Sequence, residues 1–197
     1  MANMDFNNTA PLLLYGGLMI ILAICSVTDL SQRRIPNLLT GPTILAAILT
    51  YSFIGGVDGF LFSLRGLAVG LLAFLFPYFM GGMGAGDVKL MGGVGAVLGG
   101  SHTLIALLFI TIAGGFIALG LMVYRGTVRQ TFSKIFLSLV FLGAHQDASL
   151  LKVDKNERTQ DGIPFAVAIT SGVCLFFIYL LINQETAPVF GAVIKLI

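Results

Sequence analysis

Tryptophan is absent from the 197 residues, cysteine and histidine occur twice each, and only 10% of the chain is charged. A soluble globular domain carries about 25% charged residues because its exterior faces water. The shortage of charge excludes a water-covered exterior. With 57% hydrophobic residues and a mean hydropathy of +0.98, it points to an integral membrane protein. Without tryptophan, any aromatic belt at the membrane interfaces must come from the 16 Phe and 5 Tyr. Cys25 and Cys174 lie in apolar stretches with no CxxC partner, so no zinc site is visible and both read as small core residues. A net charge of +2 suggests no nucleic-acid surface. The opening MANMDFNNTAP holds no lysine or arginine, and no small-residue cleavage site follows the first apolar run. A first helix that stays, rather than a removable signal peptide, is expected.

A bilayer core of about 30 Å needs roughly 20 apolar residues in a helix. On that measure the chain predicts an all-α fold in one membrane-embedded domain, 1–197, with six transmembrane helices near 11–28, 38–54, 61–80, 88–100, 103–124 and 163–183. Short loops at 55–60 and 101–102 make neighbouring helices antiparallel. Basic residues gather on the cytoplasmic side. With the N-terminus outside, the inner segments hold Arg33, Arg34, Lys89, Arg125, Arg129, Lys134, Lys152, Lys155 and Arg158, against Arg65 and Lys195 outside. The long connection 125–162 is then a cytoplasmic loop. Val128, Phe132, Ile135, Phe136 and Leu139 recur there at helical spacing, which predicts a helix on the membrane face over 127–142. The charged remainder predicts a solvated loop.

The fourth segment is short, about 20 Å of helix at 1.5 Å per residue, and it opens on GGMGAGDVKLMGG at 81–93. Irregular backbone at membrane depth is tolerated only against protein or a wet cavity. Asp87 is therefore expected in a wet pocket near the cytoplasmic side. Nine of residues 81–100 are glycine. Gly84-Ala85-Gly86 reads as a bent approach using positive φ, and Gly92, Gly93, Gly95 and Gly99 as places where helices come close.

A carboxylate at the edge of a membrane segment marks a functional site by default. Of the nine acidic residues, Asp5, Asp58 and Glu185 fall on the outer side, and Asp147, Asp154, Glu157 and Asp161 in the charged loop. Asp29 remains, at the inner end of helix one and at the level where helix four begins. Its ordinary explanation is a helix cap or an ion pair with Arg33 or Arg34. Two neighbouring carboxylates cannot both ionise easily, so one holds a proton while the other is a base. Such a pair activates water and protonates a leaving nitrogen with no metal or other cofactor.

Gly84-Ala85-Gly86-Asp87-Val88-Lys89 resembles the GxGDxK motif that opens the fourth helix of prepilin peptidases, which are GxGD intramembrane aspartyl proteases. Asp29 followed by Ile35-Pro36-Asn37 is similar to that family's first-aspartate motif. Gly162-Ile163-Pro164-Phe165-Ala166 resembles its proline-aromatic element, although glycine is usual where Ala166 stands. The likeness covers most of 20–100 and a patch at 162–172. It implies an aspartyl endopeptidase of the bacterial inner membrane that removes a short basic leader from type IV or Flp-type prepilins at the cytoplasmic face. Paired CxxC motifs of the longer bifunctional forms are missing, so the chain resembles the peptidase-only form of tight-adherence systems, and it is similar also to archaeal preflagellin peptidases, which share the six-helix plan. The resemblance makes Asp29 and Asp87 the catalytic pair, either of them the acid. Lys89 stabilises the ionised member, contacts lipid or simply snorkels. Gly84 and Gly86 support Asp87, Pro36 and Asn37 shape the turn that holds Asp29, and Pro164 and Phe165 seat the extended substrate. Prepilin, membrane lipid and pilus or secretion machinery are the implied partners.

A transporter is the chief rival, because intramembrane carboxylates also line ion paths. Transporters usually show matching broken helices in two halves, and here only segment four is interrupted. A non-catalytic scaffold of pilus assembly is the third reading, and it makes both aspartates dispensable.

Overall fold

A computed structural model describes residues 9–32, 35–79, 83–124, 126 and 165–182. The expected interfacial helix at 127–142 and the charged loop lie outside the described residues. Every described element is a helix: α1 (Thr9–Gln32), α2 (Asn37–Phe79), α3 (Ala85–Leu98), α4 (Gly100–Tyr124) and α5 (Phe165–Ile182). Four of them, all but α3, are long and apolar enough to cross a membrane. Two compact units divide the chain, residues 1–113 with 164–197, and residues 114–163. The described part of the second is the end of α4 and a turn at Gly126.

Hydropathy places α2 correctly but not its bend. Gly56 alone leaves helical angles, with φ 56° and ψ −131°. A straight helix would hold Tyr51 and Phe62 about 16 Å apart, yet their ring centroids are 4.9 Å apart. A Cβ on Gly59 would strike the Tyr51 carbonyl. The chain therefore doubles back at Gly56 into two arms, 37–55 and 57–79, of about 28 and 35 Å. The loop expected at 55–60 shrinks to one residue, because glycine reaches a positive φ without a Cβ clash. The loop expected at 101–102 is likewise replaced by Gly99 at φ 76°.

α3 is enclosed by protein and packs most extensively on α2. Val88 and every residue from Leu90 to Leu98 are buried. Its glycines make this closeness achievable. Gly95 lies backbone to backbone with Gly66 of α2, and a Cβ on either would run into the other's carbonyl. Gly70 meets Met91 in the same way, and Leu71 Cδ2 fills the space beside Gly92. At the carbonyl end of α3, Tyr51 Oη donates to Val97 O (2.8 Å) and Ser63 Oγ to Ala96 O (2.9 Å). One hydroxyl from each arm of α2 thus satisfies carbonyls that a helix end leaves without partners.

Leu18, Leu22 and Cys25 of α1 meet Leu90, Met91 and Val94 of α3 and Ile169, Val173 and Phe176 of α5 in one apolar core. Large side chains such as Leu13, Phe53, Leu72, Phe76 and Leu108 point outward instead. A surface this apolar is stable against lipid tails and unstable against water.

Candidate active site

Asp29 stands inside α1, which continues to Gln32, rather than beyond its end. Its Oδ2 accepts a hydrogen bond from Ala166 N–H (3.1 Å), 137 residues away in the first turn of α5. The helix-cap explanation of Asp29 is thus realised across the bundle. The N-terminus of a helix has unpaired N–H groups and a positive dipole end, both favouring a carboxylate.

Asp87 occupies the first turn of α3, and its Oδ2 accepts from Gly84 N–H (3.1 Å). This half of a capping box fixes where α3 starts. Gly84 itself is extended, at φ −82° and ψ 153°, and neither it nor Gly86 has positive φ. The bend expected from Gly84-Ala85-Gly86 does not use the left-handed region. Gly86 serves close approach instead, since a Cβ there would sit 3.0 Å from Ile35 Cβ.

Ile35 connects the two aspartate motifs. It and Pro36 follow α1, and the Pro36 carbonyl accepts from Leu39 N–H (3.1 Å) to open α2. Asn37 begins α2. Its side chain, Arg33, Arg34 and Pro164 lie outside the described residues. Phe165 is the first residue of α5, half-buried, beside the Ala166 that binds Asp29. Lys89 is exposed on the one open side of α3. The first-aspartate motif, the GxGD motif and Phe165 are therefore linked by Asp29 to Ala166 and by Ile35 to Gly86.

Asp87 is buried and precedes the apolar segment 88–100, outside all four candidate spans. Burial pushes its carboxyl above the ordinary carboxylate range, the Gly84 N–H opposes the rise, and the negative charge of Asp29 adds to it. Among the described residues, no three His, Cys, Asp or Glu side chains assemble as a metal ligand set.

Two residues that sequence reasoning missed adjoin this site. Ser26 Oγ lies 2.6 Å from Thr170 Oγ1, one turn from Asp29 and Ala166 respectively. Their only signal in the sequence is helical spacing, three residues before Asp29 and four after Ala166. The glycines at 66 and 70 were missed too, although GLAVG has the spacing of a close-packing helix pair.

A family model described as the type IV leader peptidase family matches residues 17–119. That interval contains Asp29, Pro36, Asn37, Gly84, Gly86, Asp87 and Lys89, and it stops before α5. No curated protein and no solved structure matches the chain. Since the match spans more than half of the sequence and includes both aspartate motifs, the chain belongs to the type IV leader peptidase family and is a membrane protease, a hydrolase.

Proposed function

We propose that Asp29 and Asp87 are the catalytic pair of a prepilin peptidase, cutting a short basic leader from type IV or Flp-type prepilins. The observation that carries the reading is the close approach of Gly86 to Ile35, which sets the turn after Asp29 against the helix start that holds the buried Asp87. Two carboxylates brought together between these motifs would share one proton. The ionised member takes a proton from water as the water oxygen bonds to the scissile carbonyl carbon. The protonated member donates to the carbonyl oxygen, and a proton then passes to the amide nitrogen as the C–N bond breaks. Solvent supplies every atom added. The pair titrates jointly, so a bell-shaped rate profile belongs to both groups together.

The remaining roles are read on the same basis. Gly84 and Gly86 hold Asp87 at the start of α3, Pro36 and Asn37 shape the turn after Asp29, and Pro164 with Phe165 seats the extended substrate. Lys89 lies two residues from Asp87, where it stabilises the ionised member or meets lipid headgroups. The two arms of α2 count as separate passes, and the apolar part of α3 that follows Asp87 as a short embedded one, giving six. The basic residues then put the N-terminus outside and the site at the cytoplasmic face of the bacterial inner membrane. The peptidase-only form is the reading for this chain, because its sequence holds no paired CxxC motif.

Co-expression with a prepilin precursor tests the reading, with leader removal followed by gel shift. Asp29→Asn and Asp87→Asn each abolish processing while the protein still accumulates in the membrane. Unchanged cleavage in either variant removes that residue from the mechanism. A transporter or scaffold predicts no cleavage by the wild-type chain.

A further inference from the structure

We infer that Ser26 and Thr170 are positioning residues for Asp29, forming a hydroxyl clasp that holds the first turn of α5 against α1. The inference rests on the reading of Asp29 as catalytic. Ser26 and Asp29 are three residues apart on α1, and Ala166 and Thr170 four apart on α5, so each pair shares one helix face. Asp29 holds the N–H of Ala166. Ser26 Oγ lies 3.2 Å and Thr170 Oγ1 2.8 Å from the carbonyl oxygen of the same residue. Thr170 Oγ1 is also 3.1 Å from Leu22 O on α1. Ala166 is therefore gripped at both of its main-chain polar groups, one of them by the catalytic carboxylate.

Proton counting limits the arrangements. Two hydroxyls carry two protons, and their 2.6 Å separation places one of them between the oxygens. The other goes to a main-chain carbonyl. If Ser26 donates to Thr170, Thr170 donates to Leu22 O or Ala166 O. If Thr170 donates to Ser26, Ser26 donates to Ala166 O. Either way the Ser26–Thr170 bond ties α1 to α5 one turn from Asp29.

Most hydroxyls in the apolar helices do something else. Thr43, Ser52 and Thr111 each donate to the carbonyl four residues back in their own helix, which satisfies the hydroxyl locally and ties nothing together. Ser26 reaches across to α5, and Thr170, besides the same local bond to Ala166 O, also meets Ser26 Oγ and Leu22 O on α1. Leu22 O and Ala166 O have the positions of ordinary intrahelical acceptors, so losing a hydroxyl leaves no helix carbonyl stranded. What is lost is the constraint on where Ala166 N–H points, and with it one fixed coordinate of Asp29. Small displacements of a catalytic group lower turnover more than binding.

The test uses the full chain in lipid vesicles and a synthetic precursor with a short basic leader, a glycine and an apolar helix. Rates are taken per mole of enzyme. Ser26→Ala and Thr170→Val are expected to lower kcat roughly tenfold with KM held within about twofold. Thr170→Val preserves shape and introduces no polar group. Ser26→Thr and Thr170→Ser, which keep the hydroxyls, are expected to restore most of kcat. The double variant should be little worse than either single one, because the two act as a unit. Wild-type kcat in both hydroxyl-free variants overturns the inference, even if their heat stability falls, since that is the behaviour of helix-to-helix glue alone. Asp29→Asn runs alongside. Inactive Asp29→Asn with fully active hydroxyl-free variants overturns only the clasp, whereas active Asp29→Asn overturns the catalytic reading beneath it.

Discussion

Asp29 and Asp87 are served by the same kind of donor, a main-chain N–H at the start of a helix, but by opposite routes. Asp87 binds Gly84, three residues before it, and so begins its own helix. Asp29 binds Ala166, and so fastens a helix from the far end of the sequence. One carboxylate is placed by local chain geometry and the other by tertiary assembly. The difference teaches that a paired site can be precise on one side before the bundle closes, while the other side is completed only by closure.

The largest expected effect treats the two as equals. Asp29→Asn and Asp87→Asn each keep an oxygen for their N–H donor and remove the acid–base function, so leader removal falls by roughly 10³-fold or more in either. A tenfold gap between them in a gel-shift time course would break the equality. Replacement by alanine separates them. Asp87→Ala forfeits a local cap, about 1 kcal/mol, whereas Asp29→Ala removes a bond that holds the first turn of α5 to α1. Limited proteolysis at the start of α5 should therefore accelerate in Asp29→Ala and stay near wild type in Asp87→Ala.

Gly86 tests the contact that brings the two motifs together. A Cβ 3.0 Å from Ile35 Cβ forces a shift of a few tenths of an ångström. Gly86→Ala should lower turnover about tenfold with accumulation near normal, measured with the same precursor. Gly84→Ala, whose Cβ would meet Asp87 Oδ2 at 3.3 Å and Gly86 N at 3.9 Å, should do less.

The smallest effects concern protons. Burial and the charge of Asp29 raise the Asp87 carboxyl. A carboxyl whose folded pKa is raised contributes stability at low pH and loses it as pH climbs through the folded value. Near neutrality the ionised form therefore destabilises the fold. Asp87→Asn should raise the thermal midpoint by roughly 2–4 °C at pH 7 or above, and the gain should vanish under acid conditions where wild-type Asp87 is protonated. In wild-type rate profiles, the alkaline limb marks loss of the shared proton and should lie above the ordinary carboxylate range. A limb at the usual aspartate value would mean that the two groups act independently.

How much of this was legible in the sequence follows from the type of force involved. Apolar length located α1, both arms of α2, α4 and α5, because hydrophobicity accumulates along a segment. The position of Asp87 at a helix start was legible because glycine, aspartate and lysine crowd into six residues. The bend at Gly56 is shorter than hydropathy indicates, since hydropathy senses polarity and not φ. The sequence suggests a conformational role for Gly86, whereas its role is steric, because the neighbour Ile35 is 51 residues away and reachable only through the fold. Ser26 and Thr170 were invisible for a related reason. In sequence they look like Thr43 or Thr111, and only packing decides whether a hydroxyl turns back to its own helix or crosses to another.

The glycine pair at 66 and 95 carries one more consequence. Where two main chains touch with no side chains between, there are no rotamers to average over, and the spacing is set by atoms of fixed size. From Gly95 down to Asp87 is about 12 Å of regular helix. That stretch behaves as a rigid gauge whose zero mark is a glycine contact. The depth at which the carboxylate meets a peptide bond is then graduated in whole residues, so inserting one alanine between Gly95 and Asp87 would re-aim the group by about 100° as well as lower it by about 1.5 Å.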